Sequence, residues 1–323
     1  MRCFVTGVAG FIGSHLANRL LTDGHDVCGI DAFIDYYPRS FKERNLERAR
    51  SWDRFRFVEA DLLDVYLPPL LEGVGWIFHQ AAQAGVPSSW QGGFNTYLNC
   101  NVLATQRLLE AVLQANSIQR FIYASSSSVY GNTNVLPINE SVKPSPFSPY
   151  GVTKLAAEHL CTLYNHNFGV PTISLRYFTV YGPGQRPDMA FHRFCKAAIT
   201  HQPVHIFGDG SQTRDFTYIS DAVEANIRAA TSVSATGEVI NVAGGSQVTM
   251  HVVMQILEEI AGFSIPISFE DAQHGDVRHT WADTRLAEKV LEYHPVVSLQ
   301  AGLAAEFEDL LNVYSATLIP TVF

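Results

Sequence analysis

The 323-residue sequence predicts an α/β architecture, a doubly wound parallel sheet followed by a smaller C-terminal region. Three observations carry it. Apolar, strand-like runs alternate with segments of helical periodicity through the first half of the chain. Three glycines, Gly7, Gly10 and Gly13, stand between the first such strand and the first helix. Beyond about residue 180 the alternation breaks into shorter elements richer in Gly and Pro.

Taken in order, RCFVT (2–6) reads as a buried strand and FIGSHLANRLLTDG (11–24) as a helix ending at Gly24. DVCGID (26–31), RFRFVEAD (54–61) and WIFHQAA (76–82) predict three further strands. A helix over roughly 94–115 leads to the strand QRFIYASS (119–126). SPYGVTKLAAEHLCTLYNHNFG (148–169) predicts a long helix and PTISLRYF (171–178) the strand after it. VYGPGQRPDM (180–189) and FGDGSQTRD (207–215) predict loops, and the apolar tail SATLIPTVF (315–323) is expected to pack on the body of the protein or on a second subunit.

Composition narrows the partners. Apolar residues make up 47% and charged residues 16%, an ordinary globular balance. The net charge of −9, with no basic cluster, argues against nucleic acid and anionic membranes. A small anionic ligand stays compatible, since it needs only local arginines and helix N-termini. The five cysteines (Cys3, Cys28, Cys100, Cys161, Cys195) form no C-x-x-C pair, which predicts neither a disulfide framework nor a zinc site and points to a reducing cytoplasm. The sequence opens directly on a strand, so no signal peptide is expected, and no apolar run is long enough to span a membrane. His201 and His205 straddle Pro203, and His15, His79 and His159 are isolated, so no metal is expected.

The glycines form G-x-x-G-x-x-G. Gly7 permits the tight turn, Gly10 lets a pyrophosphate approach the backbone, and Gly13 lets the helix pack against the sheet. A glycine triplet alone also suits a purely structural turn. Here a strand precedes it, a helix follows, and Asp31 ends the next strand about 20 residues on, the dinucleotide-binding arrangement. The Asp31 carboxylate is expected to accept the adenosine ribose hydroxyls and repel a 2′-phosphate, favouring NAD over NADP. Arg39 and Lys42, in the stretch read as the following loop, are expected at the solvated surface, with a role in accepting a 2′-phosphate, and so weakening the NAD preference, as the alternative. Asp61 and Leu62 close the third strand, and Ala81 and Ala82 end the fourth with side chains small enough to pass a cofactor.

Tyr150 and Lys154 lie four residues apart and share one face of the long helix. A tyrosine of pKa near ~10 needs help to act as a base at neutral pH, and a neighbouring ammonium is expected to supply it. Ser125, Ser126, Ser127 and Ser128 follow a strand, where a hydroxyl can bond a substrate oxygen and pass its proton to Tyr150.

Together GVAGFIGSHL, Asp31, HQAA, ASSSSVYG, SPYGVTK, LRYFTVYG and GDGSQTRDFTYISD resemble the extended short-chain dehydrogenase/reductase family, in particular its NAD-dependent nucleotide-sugar epimerases and dehydratases. TVYGPGQRPDMAFHRF is most similar to the UDP-glucuronate 4-epimerase branch. The resemblance implies a Rossmann domain over 1–178 plus 216–244, a substrate-binding region over 179–215 plus 245–323, and a homodimer built on helices 94–115 and 148–168. It implies that Tyr150 is the base, Lys154 its partner and Ser126 the catalytic hydroxyl. Phe11, Ile12, Gln80 and Tyr177 join the cofactor contacts. Ser127, Ser128, Thr179, Met189, Phe207 (against the uracil), Gln212, Arg214 (at the diphosphate) and Asp276 (at the ribose) join the substrate contacts. Arg186 is expected at the C6 carboxylate, and Thr280 is placed near C2. The chain departs from the pattern at Pro87, Gly184 and Gln273, where relatives carry Arg, and at Cys100, where they carry Asn. Arg278 or Gln273 is left to meet the diphosphate. The activity implied is C4 epimerisation of UDP-glucuronate to UDP-galacturonate, with UDP-glucose or UDP-N-acetylglucosamine epimerisation as the alternative and a non-catalytic NAD sensor as a reading of another class. Dehydratases carry Asp-Glu right after the catalytic hydroxyl, and decarboxylases place a Glu there; Ser127 and Ser128 stand in those places.

Overall fold

The computed structural model describes residues 1–90 and 92–318. Its centre is a parallel sheet of seven strands: β1 (Arg2–Thr6), β2 (Asp26–Asp31), β3 (Phe55–Glu59), β4 (Trp76–His79), β5 (Arg120–Ser126), β6 (Thr172–Tyr177) and β11 (Val239–Val242). Their spatial order is β11-β6-β5-β4-β1-β2-β3. The chain runs outward from β1 to β3, then crosses back to lay β4 on the other side of β1. Loops diverge at the carboxyl ends of β1 and β4, which opens a crevice there.

Strands β1 to β6 form where the apolar runs predict them, and β11 is a further strand that the sequence pattern does not single out. The four residues after Arg2 in β1 and all six of β6 are buried, as a sheet covered on both faces requires. One face is covered by α1 (Phe11–Thr22), α2 (Arg39–Arg50), α8 (Ile219–Thr231) and α10 (Arg285–Leu291), which share a core with β1. The other is covered by α3 (Pro68–Leu71), α5 (Ala104–Leu113) and α6 (Pro149–Phe168). Ser148 caps α6 by accepting from the Gly151 N–H, Pro149 opens its first turn, and Gly169 ends it in the left-handed region.

A third core joins α7 (Ala190–Ile199), α9 (Met250–Ala261) and α11 (Leu299–Leu318). Around it short strands pair two by two: β7 (Val180–Tyr181) with β10 (Thr217–Tyr218), β9 (Thr213–Arg214) with β12 (Val248–Thr249), and β8 (Val204–Phe207) with β13 (Ile267–Glu270). The stretches 180–189 and 207–215, predicted as loops, therefore contain β7 and β9; two-residue strands leave no periodicity to read. Of the apolar tail, residues 319–323 lie outside the described residues.

Two local predictions need correction. The helix expected over 94–115 is α4 (Phe94–Tyr97), a π-helical stretch at Leu98–Leu103, and α5. In that wider turn Asn101 points inward, accepting from the Gln83 N–H and donating to the Gln83 carbonyl and Thr153 hydroxyl. Arg39 and Lys42 lie on α2 and not in a loop, because Pro38 starts a helix whose Arg39 and Glu43 pair one turn apart.

Candidate active site

The crevice holds a cavity of about 860 Å³. All three glycines of the β1–α1 turn line it. Gly7 is left-handed, with φ of +68°, and a Cβ there would lie 2.8 Å from the Ala81 backbone. A Cβ on Gly13 would lie 2.2 Å from the Gly7 carbonyl. These glycines are thus required for close packing between the turn, β4 and α1. Gly10 is the N-cap of α1 and no side chain caps that end, so N–H groups beside Phe11 and Ile12 remain available to phosphate oxygens. The donors, the cavity and the carboxylate described next fit a dinucleotide.

Asp31 stands on the same wall. Its oxygens accept from the N–H of Ala9 (3.1 Å) and of Phe33 (2.9 Å). Burial raises its pKa, opposed first by the Phe33 bond and then by the charge of Lys42. Asp61, Leu62, Gln80, Ala81, Ala82 and Tyr177 line the cavity as well. The Gln80 amide donates to Asn226 Oδ1 at 3.0 Å, while its own buried oxygen has no partner.

Deeper in, Ser126, Ser127, Ser128, Tyr150 and Lys154 share the wall. β5 ends at Ser126 just where the first turn of α6 delivers Tyr150, close enough for the Ser126 hydroxyl to act on the phenol. Ser126 Oγ also accepts from the Ser128 N–H at 3.1 Å. Lys154 is buried, with Nζ 4.5 Å from the centre of the Tyr123 ring. The electrostatics differ from the simple expectation of a lysine-lowered phenol. Burial raises the Tyr150 pKa, and the opposing influences are the neighbouring Ser126 hydroxyl and the charge of Arg186. Burial lowers Lys154 to about 7. In this interior dehydration dominates both groups, and the neighbours that most favour the Lys154 ammonium are Cys161 and Glu158 rather than Tyr150.

Thr179, Arg186, Met189, Phe207 and Asp276 complete the predicted wall. Arg186 is four-fifths buried and its fork is already engaged: Nε donates to Asp188 Oδ1 (3.0 Å) and Nη2 to Oδ2 (2.9 Å). Three expected contacts do not line the cavity. The Gln212 amide turns away to the Phe207 carbonyl at 2.6 Å. Arg214 Nη2 pairs with Asp276 Oδ1 at 2.5 Å, and its Nη1 bonds the carbonyls of Thr213 and Arg278. Arg278 lies off the wall, while Gln273 lies on it. Thr280, expected near C2, is also off the wall; its hydroxyl accepts from the Asp215 N–H.

Several wall residues escaped the sequence reading. Lys42 is buried, bonds the Ile34 carbonyl at 2.7 Å and shares the wall with Asp31. Its helical register with the buried Leu46 and Ala49 was the available signal. Arg193, one turn after Met189, and Tyr36, whose hydroxyl donates to Asp188 (3.2 Å), also line the cavity. Among the described residues no three His, Cys, Asp or Glu side chains gather as a metal site, and no helix is long and apolar enough to cross a membrane.

Residues 3–243 match the model of the NAD-dependent epimerase/dehydratase family. An uncharacterized UDP-glucose epimerase of Bacillus subtilis (strain 168) is 47% identical over 97% of this chain and 99% of its own. A UDP-glucuronate 4-epimerase of Thermodesulfobacterium geofontis is 36% identical over 93% of each chain. The crystal structure of UDP-glucuronic acid 4-epimerase from Bacillus cereus, in complex with UDP-glucuronic acid and NAD, superposes with a TM-score of 0.95 at 44% identity, covering 97% of this chain and 100% of that one.

Proposed function

The chain belongs to the NAD-dependent epimerase/dehydratase family, and from that premise we propose that it inverts C4 of UDP-glucuronate, giving UDP-galacturonate. The observation that carries this reading is that Ser126, Tyr150, Lys154 and Arg186 line one cavity with the glycine turn and Asp31. NAD, held at the α1 turn and Asp31, takes a hydride from C4 and gives it back. Tyr150 accepts the 4-hydroxyl proton as its phenolate, a form that the positive nicotinamide ring would favour when NAD is bound, directly or through Ser126, and returns the proton to the inverted sugar. Lys154, one turn further along α6, holds the nicotinamide ribose. Ser127 and Ser128 put no carboxylate beside the sugar, so elimination of water or carbon dioxide lacks its acid/base group. An intact tyrosine, lysine and serine also speak against a sensor, which needs no base.

Arg186 selects the sugar by pairing with the C6 carboxylate, which a hydroxymethyl group cannot match. One observation favours the second reading, UDP-glucose. Asp188 already neutralises Arg186, and a site without net positive charge there also suits an uncharged sugar. Competition between the unmodified protein and Arg186→Ala on mixed UDP-sugars decides. Glucuronate is expected to be preferred by about thirtyfold, and the variant to lose most of that preference. Equal or better use of UDP-glucose by the unmodified protein overturns the assignment.

We also propose a homodimer. Leu98, Leu103 and Leu113 on the α4–α5 side and Val152, Leu163 and Phe168 on α6 are exposed apolar side chains on neighbouring helices, a surface that a second copy of the same face covers. Sedimentation is expected to read two chains; a monomer at micromolar concentration removes this proposal. The five cysteines are free thiols, four of them buried, which suits a reducing cytoplasm.

A further inference from the structure

Four cationic side chains line the cavity: Lys42, Lys154, Arg186 and Arg193. Three are engaged. Lys42 bonds the Ile34 carbonyl near the Asp31 carboxylate. Lys154 lies over the Tyr123 ring, four residues along α6 from Tyr150. Arg186 is held by both oxygens of Asp188. Among the described residues the Arg193 side chain has neither a carboxylate nor a hydrogen-bond partner; its guanidinium sits 5.1 Å from the centre of the Phe207 ring. The arginine expected at the diphosphate, Arg214, is bound to Asp276 and to two backbone carbonyls, off the wall. Arg278 is off the wall too, and Gln273, which is on it, carries no charge.

A diphosphate entering beside Asp276 therefore meets a carboxylate from the protein and needs a free cation. We propose that Arg193 binds the diphosphate of the nucleotide sugar, the role that family resemblance gives to Arg214; the inference rests on a UDP-sugar being the occupant of this site. The chemistry suits the residue. A guanidinium offers parallel N–H donors to phosphate oxygens, and a half-buried wall strengthens such a contact relative to open water. Its position suits as well. Arg193 rises from the first turn of α7, next to Met189 and Ala190 on the wall, and its contact with Phe207 joins it to the surface expected to receive the uracil. The arginine missing at Gln273 is thus replaced from a different element.

Calorimetric titration of the NAD-loaded protein with UDP and with uridine tests the assignment. Arg193→Gln is expected to weaken UDP by about tenfold or more and to leave uridine within about twofold, since only UDP carries the charge. UDP binding by Arg193→Gln within about twofold of the unmodified protein overturns the proposal. Should the glutamine variant fail to fold, Arg193→Lys keeps the charge and loses the fork; it is expected to weaken UDP by about threefold, and unchanged affinity again overturns the proposal. Undetectable UDP binding by the unmodified protein would bring down the functional reading along with this inference, whereas undiminished binding by the variants removes Arg193 alone.

Discussion

Tyr150 sits where burial works against it. Its phenol is dehydrated, which raises the pKa, while Ser126 and the more distant Arg186 oppose that. Replacing it removes the phenol that stands beside Ser126 on the cavity wall. Tyr150→Phe is expected to lower turnover by about a thousandfold, with bound NAD unchanged by absorbance. Near-normal turnover takes Tyr150 out of the mechanism. Tyr150, Lys154 and the Ser125–Ser128 cluster could be marked from the sequence because a one-turn spacing and a strand end are local facts, while Ser126 was singled out by the family resemblance. Arg214 was not, since its fate depends on Asp276, 62 residues away along the chain. Lys42 had a local signal in its register with Leu46, hidden by reading its stretch as loop.

Helix α6 links the site to the core. One turn beyond Lys154, Glu158 accepts from the Ser125 hydroxyl at 2.6 Å and from Arg176 of β6 through two bonds, at 3.0 and 2.6 Å. Arg176 passes another bond to Tyr130, which donates to Asn241 of β11. Glu158, Arg176, Tyr130 and Asn241 are all buried, and the network ties α6, β5, β6 and β11 together. Breaking one partner leaves a buried charge unmatched. Glu158→Gln is expected to cost about 3 kcal/mol, and Glu158→Met with Arg176→Met to recover part of the loss. A single variant that denatures like the parent contradicts this. Strands β1 to β6 and helices α1 and α6 were legible to within a few residues, because burial on a sheet or helix face imposes a period, whereas the α2 stretch reads as loop and the helices beyond residue 180, α11 among them, were not identified. The π-helical turn at Leu98–Leu103 was not, because it accompanies inward bonds of Asn101 that no hydrophobic pattern encodes.

Over the whole molecule, alternation of strand and helix was enough to predict a doubly wound sheet. The switch between β1 and β4 then gathers the glycine turn, Asp31, the serines and Tyr150 around one cavity. The pairing of short strands in the C-terminal region was beyond the sequence, since two-residue strands have no pattern. Enclosing Lys154 in this interior has a global consequence. Its folded pKa is about 7, and an unfolded lysine titrates near ~10.4. Between those values the unfolded chain binds a proton that the folded chain does not, so this contribution to stability is present at high pH and is lost as pH falls to about 7. The size is on the order of 4 kcal/mol. Denaturant titration of the cofactor-stripped protein against Lys154→Met is expected to show the variant gaining more at about pH 7 than at about pH 10; a pH-independent difference contradicts it. The most direct measurement of the central claim follows the sugar itself. NAD-loaded protein is incubated with UDP-glucuronate in deuterated water without added cofactor, and the products are read by proton NMR. The account predicts UDP-galacturonate with its C4 hydrogen retained from substrate. Deuterium at C4, or loss of water or carbon dioxide from the sugar, would contradict it.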